Sequence, residues 1–199
     1  MSTVSIVYFS GTGTTHLLAE AIAQGARSVE GTDVQLLRIS PEQFQGGRWS
    51  DDAVLAKLAE SDAIVFGTPT FMGGPAAQFK AFADATGGVW YTQGWRNKLA
   101  GGFTISGSPS GDKASTLAYL SILAAQHGMT WVNLGVLPAL ASGSPVGENR
   151  LGSYVGVMAQ NTSAPNSAPT LHPGDAVTGE NYGRRIAELA ARLAAVETA

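Results

Sequence analysis

The sequence predicts a doubly wound α/β fold, a five-stranded parallel sheet with helices on both faces. Two observations carry this expectation. Apolar, β-branched runs alternate with segments of helical period along most of the chain, and such alternation builds parallel sheets because each crossover helix returns the chain to the same end of the sheet. The strand runs also carry little polar interruption, as strands covered on both faces do. The length of 199 residues suits one domain over 1–199 with a sizeable core.

Residues 4–9, Val-Ser-Ile-Val-Tyr-Phe, read as the first strand. Over 14–27, Leu17, Leu18, Ala21, Ile22 and Gly25 share one face at helical spacing. Residues 34–39 read as the second strand and 51–60 as the second helix. The third strand, 63–67, ends at Thr68-Pro69-Thr70. A helix over 75–86 turns Phe79 and Phe82 inward. The fourth strand, 99–106, runs into a Gly/Ser/Pro loop that ends at Gly111. A long helix over 113–127 leads to the fifth strand, 129–135. The last helix, 181–196, presents Ile186, Leu189, Ala190 and Leu193 on one face. Two segments break the alternation. An insert at about 87–98 holds Trp90, Tyr91 and Trp95. A stretch at about 138–175 is rich in Gly, Ser, Asn and Pro and has no clear period; loops of that length are functional or pack on a partner.

Composition narrows the function classes. Net charge is −3 with no basic cluster, which disfavours nucleic acid and anionic membrane as partners. No apolar run is long enough for membrane insertion. The absence of cysteine removes disulfides, thiol nucleophiles and cysteine metal sites, and fits a cytoplasmic protein. Charged residues make up only 14%, and a surface so sparsely charged suits burial between subunits.

In such sheets ligands bind beyond the carboxyl ends of the strands, where the strand order reverses. Three loops there have unusual composition. Ser10, Gly11, Thr12, Gly13, Thr14 and Thr15 follow the first strand and open a helix. Backbone amides and hydroxyls at a helix N-terminus make an anion site. No Gly-Lys-Ser/Thr follows, so it is not a P-loop, and His16 stands where a dinucleotide fingerprint needs its third glycine. With no lysine or arginine in the loop, neutral donors suit a buried phosphate monoester such as that of flavin mononucleotide. The plainer alternative is a strand-to-helix turn with Thr14 or Thr15 as N-cap. Pro69, Thr70, Phe71, Met72 and Gly73 form the second loop, able to approach and cover a flat ring. Ile105, Ser106, Gly107, Ser108, Pro109 and Ser110 form the third, whose amides suit the negative charge of a reduced flavin. Trp90, Tyr91 and Trp95 either stack on an aromatic substrate or anchor a subunit contact. His127 either complements its helix dipole, with Gly128 as cap, or reaches the ring of the cofactor. His16 and His172 have no partner pattern. No Ser-His-Asp spacing or carboxylate pair stands out, so no general acid or base is assigned, and no metal site.

The first of these loops is similar to the phosphate loop of flavodoxin-like proteins. Phe66-Gly67-Thr68-Pro69-Thr70, Phe82-x-Asp84-x-Thr86-Gly87-Gly88-x-Trp90, Lys98-Leu99-Ala100, His127-Gly128-Met129 and Gly143-Ser144-Pro145-x-Gly147 resemble WrbA-type NAD(P)H:quinone oxidoreductases. The resemblance covers most of the chain and weakens over 40–60 and 148–180. It implies a flavodoxin-like fold, FMN held by the three loops, NAD(P)H as electron donor, a quinone as substrate, and a homo-tetramer. It also implies that Trp90 flanks the substrate and that His127 contacts the flavin. The chain departs from the family at Thr12-Gly13, where the family carries Tyr-Gly. It departs again at Phe71, which replaces an arginine, and at Ser108-Pro109-Ser110, which replaces a glycine-rich stretch. Two other functions remain open: a flavodoxin-type electron carrier, against which the small net charge and the insert weigh, and a flavodoxin-fold interaction protein without turnover.

Overall fold

The computed structural model describes residues 1–164 and 166–197. Ser2–Phe9 (β1) sends Val4, Ile6 and Tyr8 to one face and Val7 to the other. Thr14–Arg27 (α1) and Thr32–Ile39 (β2) follow. A two-stranded ribbon, Phe44–Gln45 (β3) with Arg48–Trp49 (β4), lies outside the main sheet. Asp52–Glu60 (α2) starts at Asp51, whose carboxylate accepts the Val54 amide proton at 2.9 Å. Then come Ala63–Phe71 (β5), Gly74–Pro75 (β6), Ala77–Ala85 (α3) and Gly87–Tyr91 (α4). Leu99–Ser106 (β7), Lys113–Gln126 (α5) and Thr130–Trp131 (β8) follow. Ala139–Ser142 (α6), Val157–Gln160 (β9) and Pro173–Glu197 (α7) complete the order.

The main sheet runs β2-β1-β5-β7, all parallel. One core joins β1, β5, β7 and β9 to α1 and α7 through Leu18, Ile22, Tyr182 and Ile186. The other joins the opposite face to α2, α3 and α5 through Leu58, Phe79, Phe82, Leu117 and Leu120. The chain therefore leaves β1 toward one face and β5 toward the other. A crevice opens between their carboxyl ends, where the loops diverge.

The structure corrects three expectations. The fifth strand is split. β8 pairs only with Leu99 and Ala100. The Leu134 amide then bonds the Tyr154 carbonyl at 2.9 Å, and Gly135 turns with φ +69°. The upper half of the edge is supplied by β9, which pairs with Phe103, Thr104, Ile105 and Ser106 and comes from the stretch read as irregular. Gly156 makes this possible, because a Cβ there would run into the Gly102 carbonyl. The last helix begins at Pro173 rather than 181, with proline where a helix start tolerates it. The insert holds a short helix, α4, and Trp95 takes neither of the roles expected of it. It is fully buried in its own chain, against Phe66 at 6.2 Å and His127 at 4.4 Å. No helix among the described residues is long and apolar enough to cross a membrane.

Candidate cofactor site

The crevice is a cavity of about 510 Å³ walled by all three loops. The first loop contributes Gly11, Thr12, Thr14 and Thr15; the second Pro69, Thr70 and Phe71; the third Ile105, Ser106 and Gly107. Ser10, Gly13, Met72, Gly73, Ser108, Pro109 and Ser110 belong to the same loops without lining this cavity. Phe9, Ala76, Ala77, Gln78 and Asn161 line it as well. The last sits at the end of β9, which is why sequence reasoning missed it.

Neither Thr14 nor Thr15 caps α1. The N-cap is Gly13, at φ +95° and without a side-chain cap bond, a conformation that suits glycine. The Thr14 hydroxyl is buried and has no partner among the described residues. A buried hydroxyl without a partner costs free energy, and here it lies in the first turn of a helix, where an anion is favoured. The Ser10 hydroxyl, by contrast, is already engaged: it accepts the His16 amide proton at 3.2 Å. His16 itself bonds Tyr8 (2.7 Å) and lies 3.5 Å from Glu20, a structural arrangement.

Cations support the loops from behind. The Arg38 guanidinium donates to the Ser10 carbonyl at 2.9 Å. The Lys113 ammonium donates to Ser106 Oγ (2.9 Å), the Ser108 carbonyl (2.7 Å) and the Pro109 carbonyl (2.9 Å). The second loop is a tight hairpin. Phe71 pairs with Gly74, and Met72 (φ +48°) and Gly73 (φ +78°) make the turn, the two positive φ values of a type I′ connection. Thr70 bonds both Thr104 and Thr116 at 2.8 Å and so joins the second loop to β7 and α5.

Trp90 and His127 lie apart from this cavity. Trp90 stands 45% exposed on α4. His127 is buried, with Nε2 at 2.9 Å from the Thr86 hydroxyl. That hydroxyl donates its single proton to the Ala83 carbonyl at 2.7 Å, so the imidazole must be the donor to Thr86 and carries its proton on Nε2. Burial lowers the His127 pKa from its usual value, which favours the neutral ring over the cation a helix C-terminus would prefer. Gly128, at φ +68°, follows as the left-handed residue that ends the helix. As pH falls below about 6.5 the unfolded chain takes up a proton that the folded one resists. Stability present above that pH is lost progressively down to the lower folded value. Melting temperatures between neutral pH and mild acid should therefore fall less in His127→Asn than in wild type; parallel curves would refute this.

Comparisons with known proteins place the chain. Residues 4–139 match the family model described as NADPH-dependent FMN reductase. A flavodoxin named FldP from Pseudomonas aeruginosa is 39% identical over 195 residues, covering 97% of this chain and 99% of the relative. An NAD(P)H dehydrogenase (quinone) from Chromohalobacter salexigens is 33% identical over 211 residues, covering 98% of this chain and 100% of the relative. Among solved structures, a flavodoxin, WrbA-like protein from Agrobacterium tumefaciens is 41% identical with a TM-score of 0.73, covering 96% of this chain and 99% of that one.

Proposed function

Because the chain belongs to the NADPH-dependent FMN reductase family, we propose that it binds FMN in the crevice and passes two electrons from NAD(P)H to quinones or similar small aromatic acceptors. The observation that carries the reading is the unpartnered Thr14 hydroxyl at the start of α1, on a residue that lines a cavity walled by three loops. Thr12, Thr14, Thr15 and the amides from Gly11 to Thr15 would hold the phosphate, with Ser10 fixing the turn. Pro69 to Gly73 and Ile105 to Ser110 would frame the ring. Phe9, Phe71 and Ile105 make apolar walls that would keep water from it. FMN, when bound, supplies the hydride and electron chemistry, and the chain supplies position and electrostatics. No residue is assigned as acid or base.

Trp90 borders no part of the crevice of its own chain, so a role beside the acceptor would come through a second copy. This ties the substrate assignment to the proposed homo-tetramer. The exposed Leu137, Leu140, Tyr154 and Val155 offer apolar surface for such an assembly. His127 would then act by holding the α3–α4 junction on which Trp90 stands. The 39% identity to a protein named flavodoxin favours a second reading, an electron carrier.

Visible absorption separates these. Protein reconstituted with FMN is treated anaerobically with NADPH or NADH and then with benzoquinone. Bleaching of the flavin band, then its return with quinone, is the expected result. Binding without bleaching, in a monomer by light scattering, would favour the carrier. Failure to retain FMN would overturn both readings and leave an interaction protein.

A further inference from the structure

We propose that Lys113 is a positioning residue of the crevice: its buried ammonium holds the third loop in the shape that frames the ring and puts a positive charge behind that wall. The inference rests on the FMN reading for its electrostatic half; the loop-holding half stands without a ligand.

A lysine in the first turn of a helix faces the positive end of the dipole, and this one is 0% exposed. Both circumstances disfavour an ammonium, so its surroundings must compensate. The groups that contact it come from the loop. An ammonium has three protons to donate, and all three go to Ser106, Ser108 and Pro109. The remaining candidate partner is Asp175, which is committed elsewhere. Its two oxygens accept a two-pronged bond from Arg150, 2.8 Å on each side, and one also accepts the Gln160 amide proton at 3.0 Å. The positive charge of Lys113 is thus met by carbonyl and hydroxyl dipoles rather than by a contacting carboxylate.

The loop needs such a fastening. Residues 106–111, Ser-Gly-Ser-Pro-Ser-Gly, have little intrinsic order, and four in a row, Gly107 to Ser110, are exposed. Ser106 and Gly107 nonetheless wall the cavity. Gln160 adds a second tie through the Gly107 carbonyl at 3.1 Å, and the Asn161 amide a third through Ser106 at 2.8 Å. Turning the Pro109 carbonyl inward has a further effect. In a trans peptide the N–H points opposite to the C=O, so the Ser110 amide points away from the ammonium and out of the interior. A cation behind a wall also favours negative charge on a ligand in front of it.

The test uses Lys113→Met, which keeps the volume and removes the charge, and Ser106→Ala, which keeps the charge and removes one tie. In cofactor-free protein, hydrogen exchange at the Asn161 amide and at the amide of residue 113, which donate to the Ser106 and Ser110 carbonyls, should be about tenfold faster in Lys113→Met, for loss of charged hydrogen bonds. It should be faster by a smaller factor in Ser106→Ala. With FMN bound, the dissociation constant should rise about tenfold in Lys113→Met. The midpoint potential should move to more negative values in Lys113→Met, and by a smaller amount in Ser106→Ala, which keeps the charge. Unchanged loop exchange in either variant would overturn the positioning role. An unshifted potential in Lys113→Met would overturn the electrostatic one. If wild type binds no FMN, the proposed function fails while the exchange result still decides the loop. If Lys113→Met does not fold, exchange in Ser106→Ala decides it.

Discussion

Gly183→Val is expected to lower the stability of the cofactor-free protein by about 3 kcal/mol or more, the upper end of the cost of overpacking. Helices α1 and α7 meet backbone to backbone. A Cβ at Gly183 would run into the carbonyl of Ile22 and stand 3.0 Å from the Ala26 nitrogen. The contact is reciprocal: a Cβ at Gly25 would run into the carbonyl of Glu180. A clash with backbone has no rotamer to relieve it, so the helices must part. Parting them opens the core around Leu18, Ile22, Tyr182 and Ile186, all buried. For a chain of this size each kcal/mol moves the melting temperature by roughly 2–4 °C, so a fall of about 6–12 °C is expected. Gly88→Ala is the control. Gly88 lies inside α4, where a Cβ would meet nothing within 4 Å, so alanine should leave stability unchanged or raise it by up to about 1 kcal/mol. Thermal melts of both variants decide the matter: equal behaviour would mean that α1 and α7 are not held at that distance by glycine.

Those glycines also mark the border of what the sequence makes legible. The alternation of strands and helices is local and strong, so β1, α1, β5, β7 and α5 can be read within a few residues. The first loop is legible for the same reason, because its chemistry lies within six consecutive positions. The first two turns of α7 are not, because Gly174 and Gly179 look like helix breakers until the Gly147 backbone is beside the one and α1 beside the other. Strand β9 is hidden too: four residues with Val157 and Ala159 inward carry too short a pattern, and only the approach of Gly156 to Gly102 explains them. Trp95 reads as a loop aromatic, yet it fills the core beneath Phe66. Lys113 shows in the sequence only as the start of a helix. Its role depends on where three carbonyl and hydroxyl groups turn, which no spacing reveals.

The orphaned hydroxyl of Thr14 yields a prediction with opposite signs in the two states of the protein. Valine has nearly the shape of threonine and lacks the hydroxyl. In the cofactor-free protein that hydroxyl is buried without a partner among the described residues, which is a cost. Thr14→Val should therefore leave stability unchanged or raise it, by up to about 1 kcal/mol. With FMN the same hydroxyl would gain a charged acceptor, worth about 1.5–3 kcal/mol, so the variant should bind FMN about 10- to 100-fold more weakly. The rise in melting temperature produced by excess FMN should shrink accordingly. Ser10→Ala behaves differently, because the Ser10 hydroxyl already accepts the His16 amide proton. That variant should lose stability without any ligand, since a helix-start N–H is left unpaired. Melts with and without FMN, together with a fluorescence titration, separate the two positions. Destabilised cofactor-free Thr14→Val would assign the hydroxyl a structural role. Undiminished FMN binding by that variant would place the phosphate elsewhere. Weaker binding at unchanged or higher intrinsic stability would mean that the first turn of α1 keeps a polar group unsatisfied for the anion it receives.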